Sequence, residues 1–112
     1  MADITLNIAK DFSRCPGARY RSEGDYSGEE FRSEFLVPNL KKALNEGVKL
    51  IIILDGAAGY STAFIEESFG GLIRNDGFKL PDIEDVMEFI SEEDPSYIDD
   101  IKIYMKNAWE KR

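Results

Sequence analysis

The sequence contains no histidine and one cysteine, Cys15, in 112 residues. Histidine is the commonest general base and metal ligand and the usual switch near neutral pH, so its absence removes the most frequent routes to catalysis. We therefore expect a protein that is not an enzyme and that holds no cofactor or metal ion. A single cysteine cannot form an intramolecular disulfide, which is typical of proteins in a reducing compartment.

Basic residues and long apolar segments are also scarce. The chain has 14 Lys and Arg against 22 Asp and Glu, a formal net charge of -8, which argues against nonspecific binding to nucleic acid or anionic lipid. The longest strongly apolar run, Leu50–Leu54, is too short to cross a bilayer. The start, MADITLNIAK, lacks the basic and apolar regions of a signal peptide. We expect one cytoplasmic domain over residues 1–112, bound to neither nucleic acid nor membrane.

Three segments are predicted to be strands. The first is indicated by alternating apolar residues at Ile4, Leu6 and Ile8. The second, Val48–Leu54, is apolar on both faces, which predicts a central parallel strand covered on both sides. Residues 82–91 fit a helix or a strand, and we favour a short turn at 82–85 followed by a strand from Val86 to Ser91.

Helices are predicted between and after these strands. Ser27-Gly28-Glu29-Glu30 is a capping box that begins the first helix, Pro38 predicts a kink or split in it, and Gly47 ends it. The second helix runs from Ser61 to about Arg74, and the third begins at Asp94-Pro95. The order β-α-β-α-β-α predicts an α/β fold, with a mostly parallel sheet and helices packed on it.

Four segments together resemble the STAS-like domain-of-unknown-function family: GARY (17–20), SGEEFRSEFLVPNL (27–40), LDGAAGYSTAFIEESFGGLIR (54–74) and EFISEEDP (88–95). The family is named for its similarity to the STAS domains of sulfate transporters and anti-sigma-factor antagonists. The resemblance implies a STAS-like fold and a non-enzymatic regulatory module that binds another protein in bacterial signalling.

The same resemblance implies candidate site residues and a partner. In the anti-sigma-factor antagonists, a serine at the start of the helix after a central strand is phosphorylated by a partner kinase of the GHKL ATPase type. Phosphorylation controls binding to that partner. Ser61 and Thr62 occupy the matching position and are the candidate phosphoacceptors. The other interpretation of Ser61 is that it is only the N-cap of its helix.

A second hypothesis is a sensor domain that binds an anion or a nucleotide at the carboxyl edge of the sheet. Asp55 ends the central strand, where open α/β sheets bind ligands, and Gly59 and Tyr60 follow it. Arg19, Arg21 and the Ser27 cap are expected at the same edge and would complete an anion site. Alternatively, Asp55 caps the Gly56–Gly59 loop or pairs with Arg19 or Arg21, and the arginines pair with nearby carboxylates, Glu23, Asp25, Glu29 and Asp55.

Glu66-Glu67 is predicted to lie on a solvated helix face. The oligomeric state stays open, because an edge strand or the last helix could pair two copies into a homodimer.

Overall fold

A three-stranded parallel sheet forms the centre of the structure, a computed structural model that describes residues 2–112. The strands are β1 (Ile4–Asn7), β2 (Leu50–Ile53) and β3 (Met87–Ile90), and they are adjacent in the order β1-β2-β3. Leu6 pairs with Ile52, and Ile52 pairs with Phe89. The predicted α/β class is confirmed, and so is a strand within residues 82–91, although β3 is one residue shorter at each end than the predicted Val86–Ser91. The short turn predicted at 82–85 is preceded and partly replaced by a one-turn helix, Leu80–Ile83.

The first long helix, residues 28–46, joins β1 to β2. It consists of α1 (Gly28–Phe31), a π-helical turn (Arg32–Leu36) and α2 (Val37–Glu46). Ser27 Oγ accepts a hydrogen bond from the Glu30 N–H at 3.1 Å, as the predicted cap requires, and Gly47 ends the helix with φ +68°. The predicted interruption at Pro38 is the π turn just before it: proline has no N–H to donate, and the backbone changes its hydrogen-bond spacing there without breaking the helix.

The second long helix, residues 62–74, joins β2 to β3. It consists of α3 (Thr62–Ile65), a π-helical turn (Glu66–Gly70) and α4 (Gly71–Arg74), and Ser61 Oγ accepts from the Phe64 N–H at 3.0 Å. After α5 (Leu80–Ile83) and β3, the last helix is α6 (Ser96–Glu110). Asp94 Oδ1 accepts from the Ser96 N–H at 3.1 Å, so the predicted start of this helix is also confirmed.

The helices fully cover only one face of the sheet. Leu6, Leu50, Ile52 and Met87 are buried on that face. The opposite face carries half-buried Ile51 and Ile53 beside Ile90, which is 40% exposed. The prediction that β2 is covered on both sides is therefore wrong. Two right-handed crossovers that advance in the same direction along the sheet place both connecting helices on the same side.

The chain also turns earlier than the alternating pattern predicts. β1 ends at Asn7, and residues Ile8–Phe12 form a π-helical turn. This turn brings Phe12 into an aromatic cluster, where its ring centroid lies 5.2–6.2 Å from those of Phe31, Phe35, Tyr26 and Phe64. Aromatic packing of this kind contributes beyond simple area burial and joins the loop after β1 to both long helices.

A buried ion pair joins the two long helices. Arg32 is 7% exposed and Glu67 is 1% exposed, and Arg32 Nη1 lies 2.5 Å from Glu67 Oε2. Arg32 Nε lies 2.9 Å from Asp76 Oδ2 but is not aligned to donate a hydrogen bond to it, so that contact is purely one of charge. A Cβ atom on Gly71 would collide with the Arg32 guanidinium, so glycine makes room for it. The prediction of a solvated face is therefore wrong for Glu67.

We predict that Glu67→Ala lowers the free energy of unfolding by about 3–5 kcal/mol, because it leaves the Arg32 charge buried without its main partner. The matched control is Glu34→Ala. The Glu34 side chain is 55% exposed, and its carboxylate lies 2.7 Å from Arg21. Its loss should stay below about 1 kcal/mol. Urea unfolding of both variants measures the difference, and equal losses would contradict the assignment of a structural role to the buried pair.

Candidate functional site

The loop after β2 is tied to the loop after β3 by Asp55. Its carboxylate oxygens accept hydrogen bonds from the backbone N–H groups of Glu92 at 3.0 Å and Glu93 at 2.8 Å. In return, the Gly56 N–H donates to Glu93 Oε1 at 2.9 Å, and Gly56 has φ +94°, a conformation that favours glycine. Asp55 therefore caps the loop after β3, and the alternative that it caps the Gly56–Gly59 loop is wrong.

Tyr60 uses its polar groups within the protein. Its hydroxyl donates to the Leu54 carbonyl at 2.7 Å, its backbone N–H donates to the Tyr97 hydroxyl at 3.3 Å, and the Tyr60 and Tyr97 ring centroids are 5.1 Å apart. Burial, together with the neighbouring Tyr97, Asp55 and Glu93, raises the pKa of Tyr60 far above its ordinary value. The hydroxyl therefore remains a protonated donor that closes the loop.

A cleft of about 350 Å³ lies at this carboxyl edge of the sheet. Gly59, Tyr60 and Tyr97 line part of it, and its charged lining residues are Asp55, Glu93 and Asp94. No lysine or arginine among residues 2–112 lines this cleft. A cleft with three carboxylates repels anions, so its electrostatics suit a basic group of a partner rather than a phosphate.

Ser61 and Thr62 are both exposed where the second long helix begins. The Ser61 hydroxyl makes two contacts: it accepts from the Phe64 N–H, and it donates to the Gly17 carbonyl at 3.1 Å. Ser61 is thus the predicted N-cap, and it also holds the loop that precedes the first long helix. Ser27 is fully buried as the cap of α1, where a ligand in solvent does not reach it.

The two candidate arginines point to helix carboxylates instead of Asp55. Arg19 pairs with Glu66 through a short contact and lies 3.7 Å from Glu67 Oε1. Arg21 donates to Ser33 Oγ at 2.8 Å and to Glu34 Oε2 at 2.7 Å. The alternative that these arginines form ion pairs is the one the structure shows, with partners on the two long helices rather than the carboxylates nearest in sequence.

A basic cavity that the sequence did not suggest lies between the second long helix and the end of α6. It has a volume of about 360 Å³ and is lined by Arg19, Arg74, Lys111 and Arg112, with Glu66 between them. Burial alone would raise the pKa of Glu66, but hydrogen bonds and charge from Arg74 and Arg19 outweigh it and hold that pKa below its ordinary value. These cations come from three distant segments, so local patterning carries no signal for the cavity.

No group of three or more His, Cys, Asp and Glu residues among residues 2–112 is placed to hold a metal ion. None of the helices in residues 2–112 combines the length and the apolar composition of a membrane span.

Comparison with known proteins gives a family. The family model described as the STAS-like domain of unknown function (DUF4325) matches residues 27–97, which is more than half of the chain. No curated protein and no solved structure matches the chain. The matched segment contains both long helices, β2, β3, the acidic cleft and Ser61. The chain therefore belongs to the STAS-like domain-of-unknown-function family.

Proposed function

We propose that this protein is a non-enzymatic regulatory module that binds another protein through the surface formed by Asp55–Thr62 and the helix that follows. The proposed partner is an ATPase or kinase of the GHKL type. The observation that carries the proposal is the position of Ser61 and Thr62, which are exposed at the start of the helix after the central strand. Membership of a STAS-like family supports it.

The double role of Ser61 gives phosphorylation a physical effect. A phosphoryl group on Oγ removes the hydroxyl proton that is donated to Gly17, so the loop before the first long helix loses that contact. The phosphate oxygens still accept from the first amides of the helix, and the helix dipole favours their charge. About 1.5 to 2 negative charges are added beside a cleft that already contains three carboxylates. Phosphorylation would therefore change both the shape and the charge of the contact surface.

We predict that the two functions of the Ser61 hydroxyl separate in two variants. Ser61→Asp keeps an acceptor for the helix N–H groups but cannot donate to Gly17, whereas Ser61→Ala loses both contacts. Ser61→Ala should therefore be less stable than Ser61→Asp by about 1 kcal/mol in urea unfolding. Thr62→Ala, at an exposed position next to the cap, is the control and should stay within about 0.5 kcal/mol of the unchanged protein. Equal stability of the two Ser61 variants would remove the capping argument.

Binding and modification are tested together by affinity capture from the native cell, followed by mass spectrometry with phosphosite mapping. We expect the unchanged chain to recover an ATPase of the GHKL type and to carry phosphate on Ser61 or Thr62, and Ser61→Asp to alter that recovery several-fold. Ser33→Ala, which changes an exposed hydroxyl on the first long helix, should leave recovery unchanged. Unmodified protein together with no such ATPase would count against the proposal.

The second candidate function, an anion or nucleotide sensor, is favoured by one observation, the basic cavity of Arg19, Arg74, Lys111 and Arg112. This places the anion away from the acidic cleft at the sheet edge, where the sequence suggested it. Because Arg19 and Arg74 are held by Glu66, an anion would have to compete with that carboxylate for both guanidinium groups.

Inorganic phosphate tests this candidate. At ten times the dissociation constant it should stabilise the fold by about 1.4 kcal/mol, which corresponds to a rise in Tm of roughly 5–10 °C. The rise should be lost in Arg74→Ala, which removes a cation of the cavity. It should be kept in Arg21→Ala, whose guanidinium pairs with Glu34 outside the cavity. A rise that is the same in both variants, or no rise at all, would rule out the cavity as an anion site.

A further inference from the structure

The outer edge of β3 has no strand beside it among residues 2–112. Within the described residues β3 pairs only with β2. The carbonyls of Val86 and Ile90 point toward β2, because they accept from the Leu50 and Leu54 N–H groups, each at 2.8 Å. Backbone groups alternate in direction along a strand, so those of Met87 and Phe89 point outward. An edge of this kind offers donors and acceptors to another extended chain.

An apolar groove runs beside this edge, between β3 and α6. Its volume is about 990 Å³ and it is open to solvent. Met87 and Phe89 form its strand side, and Ile98, Met105 and Trp109 form its helix side. The groove therefore combines an unpaired backbone edge with an apolar surface along the same strand, the two features that proteins use when they bind a peptide by strand addition.

The charges around the groove indicate what kind of chain fits it. Four carboxylate residues line it, Glu84, Asp85, Glu88 and Glu110, against two lysines, Lys102 and Lys106. All six are exposed, and the whole chain has a formal net charge of -8. Such a groove attracts basic segments and repels acidic ones. Pairing of two β3 edges from two copies of this chain would bring the same carboxylates together, so a different partner is favoured.

We propose that this groove binds an extended segment of a partner protein in which apolar and basic residues alternate. The segment adds as a fourth strand beside β3 and pairs with the backbone of Met87 and Phe89. Its apolar side chains enter the groove, and its basic side chains, which alternate to the other face of the sheet, lie nearest Glu88, while the remaining carboxylates add attraction at longer range. This surface is separate from the Asp55–Thr62 surface, and binding there requires no phosphorylation, so the inference goes beyond the function proposed above.

The probe is a synthetic peptide of four Lys-Val repeats, with four Glu-Val repeats as the charge control. Trp109 is the only tryptophan of the chain and lines the groove, so its fluorescence reports occupancy directly. We expect the Lys-Val peptide to bind at least tenfold more tightly than the Glu-Val peptide. We also expect the backbone amide resonances of Met87 and Phe89 to shift in the complex.

Strand addition requires free backbone N–H groups on the peptide, whereas simple charge attraction does not. Only alternate N–H groups of the peptide would face β3, so N-methylation of one residue type, the valines or the lysines, should abolish binding. N-methylation of the other type should be tolerated. If both methylated peptides bind as well as the parent peptide, strand addition is excluded.

Charge variants of the full chain test the location of binding. Glu84→Lys combined with Glu88→Lys should weaken binding of the Lys-Val peptide at least fivefold. Matched charge changes outside the groove, Asp25→Lys with Asp99→Lys, should change it less than twofold, since both positions are exposed and neither lines the groove. Equal weakening by both pairs would mean nonspecific attraction and would overturn the proposal. A dimer of this chain that dissociates when the peptide is added would also overturn the proposal, because the groove would then be occupied by a second copy of the chain.

Discussion

The buried ion pair between Arg32 and Glu67 is the contact on which the helical layer depends. Both residues are the first or second in a π-helical turn, Arg32 in Arg32–Leu36 and Glu67 in Glu66–Gly70, so the two turns face each other across the pair. Charges removed from water are tolerated only with close partners, which allows few alternative positions for the two helices. The second long helix begins directly after its cap, Ser61, and Glu66 beside Glu67 pairs with Arg19 and Arg74. Both candidate sites are therefore built in part on a helix whose position this pair restricts.

Local chemistry explains the parts of the fold that could be predicted from the sequence. A serine hydroxyl caps a helix by accepting from the N–H three residues later, which is a local contact. A few neighbouring residues are therefore enough to predict the caps Ser27 and Ser61. The order of strands and helices followed from periodicity. The burial of β2 did not follow from periodicity, because a run of isoleucines looks the same in sequence whether both faces of the strand are buried or one face is only half-buried. The burial of Glu67 could not be predicted either. Its partner, Arg32, is 35 residues away, and the space for the Arg32 guanidinium exists only because Gly71 has no side chain.

The candidate site residues also divide into those whose position depends on local contacts and those whose position depends on long-range packing. The exposed position of Ser61 and Thr62 was predictable because it depends on one cap. The partners of Arg19 and Arg21 were not predictable, because the two side chains reach different helices: Arg19 pairs with Glu66 on the second long helix and Arg21 with Glu34 on the first. As a result, the carboxyl edge of the sheet is acidic, although it was expected to gather cations. The cations instead collect at the end of α6, where long-range packing brings together residues that are distant in the sequence.

The acidic cleft and the groove beside β3 share the first turn of α6. Tyr97 lines the cleft and accepts a hydrogen bond from the backbone of Tyr60, the residue before Ser61. Ile98, the next residue, forms part of the groove. Asp55 adds a second connection, because it holds the loop from which α6 begins. Contiguity of this kind becomes coupling only if the shared element has two positions of similar free energy. If the first turn of α6 has them, linkage is reciprocal: a segment bound in the groove would change affinity at the Ser61 surface by the same factor that a partner at Ser61 changes affinity in the groove.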